Sequence, residues 1–155
     1  MRSIDDWFES YGYHHRNPIN EAVHWVCVPV IMWCVIALLW VIPIPPGLPA
    51  NPGSWAGLAM LAAFFFYYKL SRRMGLAMAV ELIVFGLITN ALFGALGTFG
   101  LLWLAVALFV LAWIGQFIGH HIEGRKPSFL TDLVYLLIGP AWLTGKLMRR
   151  LGTHW

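Results

Sequence analysis

Charged side chains are scarce in this chain of 155 residues. Lysine and arginine number 10 and aspartate and glutamate 7, which together make 11% of the sequence, against roughly 25% in a soluble domain. Hydrophobic residues make 60%, and the mean hydropathy is +0.72. This balance excludes an ordinary soluble domain and a disordered chain. We expect an all-α fold, a polytopic membrane helical bundle that forms a single integral membrane domain over residues 1–155.

Cysteine is equally scarce, since the chain contains only Cys27 and Cys34. They lie seven residues apart in one apolar segment, about 10 Å along a helix, which is too far for a disulfide bond. A secreted fold held together by disulfides is therefore excluded, and we expect two reduced, buried thiols.

Long apolar segments predict about four transmembrane helices. They cover residues 21–42, 55–70, 76–94 and 99–119. Asn17 and Pro18 favour a helix start just before the first span, because asparagine caps helices and proline suits their first position. Residues 43–54 hold five prolines, two glycines and no charge, which predicts a loop. Three glycines within residues 94–100 predict the turn between the last two spans.

Each end of the chain carries a further helical segment. Residues 3–13 show apolar side chains at helical spacing, which predicts an N-terminal interfacial helix. Residues 129–148 are apolar but contain Asp132 and the pair Gly139-Pro140, and basic residues follow. A full span would carry those basic residues to the outer face, so we favour a C-terminal re-entrant or interfacial helix.

Basic residues occur in every second segment outside the predicted spans, and the segments between carry none. The residues concerned are Arg2, Arg16, Lys69, Arg72, Arg73, Arg125 and Lys126. The loops at 43–54 and 95–99 carry none. The positive-inside rule therefore places the N-terminus, the 69–75 turn and residues 120–127 in the cytoplasm. The net charge of +3 needs no nucleic-acid partner to explain it.

Five of the six histidines lie in two short polar clusters, residues 14–24 and 116–123. Both clusters fall at predicted cytoplasmic ends of spans. Histidine is costly to bury in lipid and is the commonest metal ligand among side chains. Their gathering at one membrane face indicates a cytoplasmic metal site. The charged first 21 residues are unlike a cleavable signal peptide, so we expect an integral protein of a bacterial inner membrane or an endoplasmic reticulum membrane.

Helical spacing groups the polar side chains within each cluster. Asn20 and His24 are four residues apart, as are Gln116 and His120, so each pair shares one helix face. Glu123 continues the second stripe three residues later. Histidine and carboxylate ligands with open positions suit ferrous iron and O2 chemistry, and they suit zinc as well.

Three other functions are consistent with the same sequence. His24 and His120 would suit the axial positions of a haem in an electron carrier. Glu81, about one turn into the third span, is an intramembrane carboxylate of the kind that serves a small transporter, although it can instead pair with Arg72 or Arg73. A non-catalytic membrane scaffold would leave every histidine replaceable. The arrangement in two clusters argues against the transporter and the scaffold.

The two clusters resemble the motifs of the 2-hydroxy fatty acid dioxygenases of fungal phytosphingosine degradation, a family with many bacterial members. The first motif is matched by Tyr11 or Tyr13, His15, Asn17, Pro18, Asn20, His24 and Pro29. The second motif is matched by Gln116, Phe117, Gly119, His120, Glu123 and Pro127. The resemblance covers essentially the whole chain in order and spacing.

The resemblance implies a membrane-embedded, Fe(2+)-dependent enzyme. It would use O2 to cleave a 2-hydroxy fatty acid to the fatty acid one carbon shorter, which is fatty acid alpha-oxidation. The expected partners are then the 2-hydroxy fatty acid, O2 and the lipid bilayer, and His15, His24 and His120 are the strongest ligand candidates.

The two clusters and the resemblance together give the expected site residues. The expected catalytic residues are His15, His24, His120 and Glu123. The expected metal ligands are His15, His24, His120 and His121. The expected substrate-binding residues are Asn20, Gln116, Arg125 and Lys126.

Overall fold

The computed structural model describes residues 2–47, 51–127 and 133–155, which form five α-helices and, within those ranges, no strand. The helices are α1 (Ile4–Tyr13), α2 (Pro18–Trp40), α3 (Ser54–Leu70), α4 (Arg72–Glu123) and α5 (Tyr135–Arg150). The all-α prediction is confirmed. The start of the predicted C-terminal helix, 129–132 with Asp132, lies outside the described residues, as does the part of the predicted loop at 48–50.

Local side-chain chemistry sets the beginnings of the first two helices. The Ser3 hydroxyl accepts from the Asp6 backbone N–H at 3.1 Å, and the Asp6 carboxylate accepts from the Ser3 backbone N–H at 2.9 Å. This reciprocal pair is a capping box. Asn17 Oδ1 accepts from the Ile19 N–H at 2.9 Å, and Pro18 occupies the first helical position. Both predicted helix starts therefore fall within a few residues of the observed ones.

The long helix α4 is broken at Gly97, whose φ of 69° and ψ of −177° lie outside the helical region. Only glycine adopts such a conformation without strain. A straight helix would separate Met78 from His120 by about 63 Å. Met78 instead belongs to the same buried cluster as Tyr11, and Tyr11 stacks on His15, whose ring lies 5.0 Å from that of His120. The chain therefore turns back at Gly97, within the glycine segment predicted to reverse it.

Among the described residues, two helices are long and apolar enough to cross a membrane, α2 and α4. Helix α3, with 17 residues, is about 25 Å long, a little less than the roughly 30 Å hydrocarbon core. Large apolar side chains on α4 remain exposed, such as Leu87, Phe99 and Trp103. Such an apolar surface suits contact with lipid rather than water.

Helix α2 lies at the centre of the bundle and contacts α3, α4 and α5. Helices α1 and α5 pack on each other at the end where α2 begins, around Phe8, Tyr11 and Trp142. Deeper in the bundle, Trp33 and Ala37 of α2 pack against Leu101 of the second half of α4. This arrangement brings the start of α2, the end of α4 and both terminal helices to one place, where both polar clusters lie.

Candidate metal centre

Three histidines from different parts of the fold converge at that place. His15 comes from the connection between α1 and α2, His24 from α2, and His120 from the last turn of α4. They are buried, with 3%, 1% and 5% of their surfaces exposed. Their ligand nitrogens all lie within 4.8 Å of one another. Each ring can therefore offer one nitrogen to the same ion.

Two of the rings have their protonation fixed by the backbone. His15 Nδ1 donates to the Tyr11 carbonyl at 2.7 Å, and His24 Nδ1 donates to the Asn20 carbonyl at 2.8 Å. A carbonyl can only accept, so in both neutral rings the proton is on Nδ1 and Nε2 carries a lone pair. A backbone carbonyl is a common orienting partner for metal-bound histidine.

The two Nε2 atoms lie only 3.0 Å apart. Neither carries a proton in the neutral state, so they cannot hydrogen-bond to each other, and their lone pairs repel. A shared cation removes this repulsion. Two imidazole nitrogens about 2.1 Å from one ion lie about 3.0 Å apart at the roughly 90° angle of octahedral coordination and about 3.4 Å apart at the tetrahedral angle. The observed separation therefore fits a metal held between His15 and His24.

His120 supplies a third donor. Its Nδ1 is buried and has no hydrogen-bond partner among the described residues, and leaving such an atom unsatisfied is costly. Its ring lies 5.0 Å from the His15 ring and 4.9 Å from the His24 ring. Burial and the neighbouring His24 lower the pKa of His15 to about 3, which keeps that ring neutral and able to ligate. Three imidazoles suit zinc or ferrous iron.

Tyr11 supports His15 through its ring as well as its carbonyl. The two rings stack with centroids 4.1 Å apart and planes at 14°. A Cβ atom at Gly139 would lie 2.9 Å from the Tyr11 hydroxyl, so α5 can approach Tyr11 closely only because this residue is glycine. Tyr13 is instead 48% exposed. The sequence left Tyr11 and Tyr13 as alternatives for the motif tyrosine, and only Tyr11 reaches the metal centre.

Glu123 binds the start of α2 rather than joining the histidine cluster. Its carboxylate accepts from the backbone N–H groups of Arg16 and Asn17 at 3.1 and 2.8 Å, and from Asn20 Nδ2 at 3.1 Å. The carboxylate therefore ties the end of α4 to the N-terminus of α2. The expected catalytic role of Glu123 stays a prediction.

The remaining residues expected at the site have different surroundings. Gln116 is buried and lines the cavity beside the histidines. Asn20 is also buried, and its side chain contacts Glu123. His121 is exposed and is not part of the three-histidine cluster, because consecutive residues on a helix point about 100° apart. Lys126 is also exposed, and Arg125 donates to the Tyr13 carbonyl at 3.0 Å and lies over its ring.

Glu81 is not part of the three-histidine cluster, and its side chain joins the first half of α4 to α5. The Thr144 hydroxyl donates to its carboxylate at 3.0 Å. Among the described residues, neither Arg72 nor Arg73 forms an ion pair with it. Glu81 thus links α4 to α5 in this structure.

An apolar cavity begins at the histidines, and the apolar residues that line it were not identified from the sequence. Its volume is about 420 Å³, and His15, His24, Gln116 and His120 line one end. It continues along α2 to Leu39, about 22 Å beyond His24 by helical rise. Long-range packing creates this space, and the apolar sequence of the spans carried no signal for it.

Comparison with known proteins identifies the family. The family model described as 2-hydroxy-palmitic acid dioxygenase Mpo1-like matches residues 1–151. The chain belongs to this family. A Saccharomyces cerevisiae relative, 2-hydroxy-palmitic acid dioxygenase MPO1, is 28% identical over 151 residues, which cover 92% of this chain and 78% of the relative. No solved structure matches the chain. The resemblance recognised from the two motifs is confirmed.

Proposed function

We propose that this protein is an Fe(II)-dependent dioxygenase that cleaves a 2-hydroxy fatty acid with O2 to the fatty acid one carbon shorter. The observation that carries the proposal is the convergence of three buried histidines on one end of a long apolar cavity. The family and the name of the yeast relative support the reaction class. The reaction balances without another reductant when the lost carbon leaves as CO2 together with one water.

In this proposal His15, His24 and His120 hold the metal. Iron, when bound, supplies a redox centre for O2 and a positive charge for the carboxylate and hydroxyl of the substrate. The Tyr11 and Asn20 carbonyls keep two of the rings turned towards the ion. The Gln116 amide, at the same end of the cavity, can donate a hydrogen bond to the substrate head group. The apolar walls bind the acyl chain and exclude water.

The proposed setting is a membrane crossed four times, by α2, α3 and the two halves of α4. The helices α1 and α5 then lie at the cytoplasmic interface, beside the metal centre. The turn at Gly97 supports this arrangement, because it returns the end of α4 to the side of the molecule where α4 began. A bacterial inner membrane or an endoplasmic reticulum membrane would suit the chain.

The first test is metal content in protein purified anaerobically in detergent without a histidine tag. We expect stoichiometric iron in the native chain and its loss in the His24→Ala/His120→Ala double variant. His121→Ala is the matched control, because it removes an exposed neighbour of His120, and it should keep the iron. Turnover is followed in the same samples as O2 uptake and formation of pentadecanoic acid from 2-hydroxypalmitic acid.

Two results would contradict the proposal. If the double variant keeps its iron and its turnover, the three histidines are not the metal centre. If the native protein contains zinc and reloading with ferrous iron gives no turnover, the site remains a metal centre but the oxygenase assignment is wrong.

A further inference from the structure

We infer that the apolar cavity limits the length of the substrate's acyl chain, and that Ala59 and Ala63 of α3 set this limit. The inference rests on the proposed function, because it places the substrate head group at the three histidines. The cavity is continuous from those histidines to Leu39, Ala59 and Met60. An acyl chain is the occupant that fits a long, mainly apolar space with a cluster of histidines at one end.

The length of the cavity matches a long acyl chain. Its α2 wall extends about 22 Å from His24 to Leu39. An extended chain of carbon–carbon bonds near 1.5 Å advances about 1.25 Å per carbon. The wall therefore accommodates about 17 carbons.

One wall of the cavity is built from a single face of α3. Ala59, Ala63 and Tyr67 are four residues apart, which places them in one row along the helix. Tyr67 is fully buried in the same cluster as Tyr11, and its hydroxyl donates to the Leu137 carbonyl at 2.9 Å. This end of the row lies near the metal centre and is held in place by α5.

Farther from the histidines, the same row presents only the methyl groups of Ala59 and Ala63. The wall on the second half of α4 carries Phe109 and Trp113 instead. Space for the distal part of the chain therefore depends on the two alanines. A larger side chain at either position would occupy that space. The two positions are about 6 Å apart along α3, which corresponds to about five carbons of chain.

The test compares Ala59→Phe and Ala63→Phe with Ala62→Phe. Ala62 is the matched control, because it lies on the same helix but is exposed and outside the cavity. Each protein is given saturated 2-hydroxy fatty acids of increasing length, and kcat/KM is measured for each length. Iron content confirms that each variant retains the metal centre.

We expect Ala59→Phe to lower the kcat/KM ratio of long to short substrates at least tenfold. Ala63→Phe should move the cut-off to chains about five carbons shorter still, and Ala62→Phe should keep the native profile. Leu39→Ala, at the far end, should extend the profile to longer chains.

Unchanged length profiles in both cavity variants, with the native protein active, would overturn the inference and leave the proposed function intact. If a phenylalanine variant loses turnover of every length, the leucine variant at that position decides by the same ratio, and an equal loss at all lengths also overturns the inference. A native protein that turns over no 2-hydroxy fatty acid would contradict the proposed function itself.

Discussion

His15 and His24 are oriented by the same local device. Each ring donates from Nδ1 to the backbone carbonyl four residues earlier, that of Tyr11 or Asn20. The partner is a carbonyl and not a carboxylate, so it orients the ring without adding negative charge to a buried site. The position of Asn20 thus affects the orientation of His24. Asn20 is in turn confined by Gly119, because a Cβ atom there would lie 2.5 Å from Asn20 Oδ1.

We therefore predict that Gly119→Ala damages the metal centre although it adds a single methyl group. The methyl group would push Asn20 away from α4 and shift the carbonyl that holds His24. We expect a loss of about 1–3 kcal/mol in the free energy of unfolding and iron binding about tenfold weaker. Thermal unfolding in detergent and iron titration measure the two effects.

Gly94→Ala is the control for this substitution. Gly94 also lies in α4, but a Cβ atom there would have no neighbour within 4 Å. The control should unfold at the native temperature and bind iron normally. An equal effect of the two substitutions would show that the damage comes from the helix backbone and not from the contact with Asn20.

At the scale of the helices, the end of α4 is joined to the start of α2 by one carboxylate. The first N–H groups of a helix have no partner within the helix, and Glu123 accepts from backbone groups at the α2 start. A negative charge is also favourable there because of the helix dipole. His24 and His120 lie on the two helices joined in this way. The contact thus sets how far apart these two ligands lie.

We predict that Glu123→Gln lowers the stability of the protein without removing the metal. The neutral amide has one acceptor oxygen in place of two, so a backbone N–H at the α2 start loses its charged partner. The expected cost is about 1–2 kcal/mol, seen as a lower unfolding temperature in detergent. Iron per folded chain should stay near the native value.

The opposite pattern would give Glu123 the catalytic role that its motif position suggests. In that case Glu123→Gln would abolish turnover while the unfolding temperature and iron content stay native. Glu9→Gln is the control, because it makes the same change at an exposed carboxylate to which no role in the metal centre is assigned.

At the scale of the whole molecule, the turn at Gly97 decides which ends of the helices lie together. Because α4 turns back, its first residues and its last residues lie on the same side as the start of α2. The basic residues of the 69–75 turn and of residues 120–127 therefore share one side with Arg16. The described residues of the 43–54 loop, which has no charge, lie at the opposite end.

We predict that the side with the basic residues faces the cytoplasm. The test uses single-cysteine variants in which Cys27 and Cys34 are replaced by alanine and either Asn51 or Lys126 by cysteine. Both positions are exposed. In intact bacterial spheroplasts, a membrane-impermeant maleimide should label Asn51→Cys and leave Lys126→Cys unlabelled until the membrane is broken. The reverse pattern would invert the orientation and place the metal centre outside the cytoplasm.

The sequence by itself determined the features that depend on neighbouring residues. Composition and apolar periodicity predicted an all-α chain, and Asn17-Pro18 predicted the start of α2, because capping is a local interaction. The motifs selected His15, His24 and His120 through residue types and spacing. The described residues bring these three histidines together, as the charge alternation had suggested.

Only the tertiary structure decided what depends on long-range packing. His120 and His121 are neighbours in sequence, and the direction each takes on α4 leaves only the first in the cluster. Gly94, Gly97 and Gly100 were equal candidates for the turn in the sequence. The backbone has a positive φ only at Gly97 of these three, and α4 breaks there. The cavity forms where α3 meets α2 and the second half of α4. Its position depends on contacts between residues far apart in the chain, which no local pattern encodes.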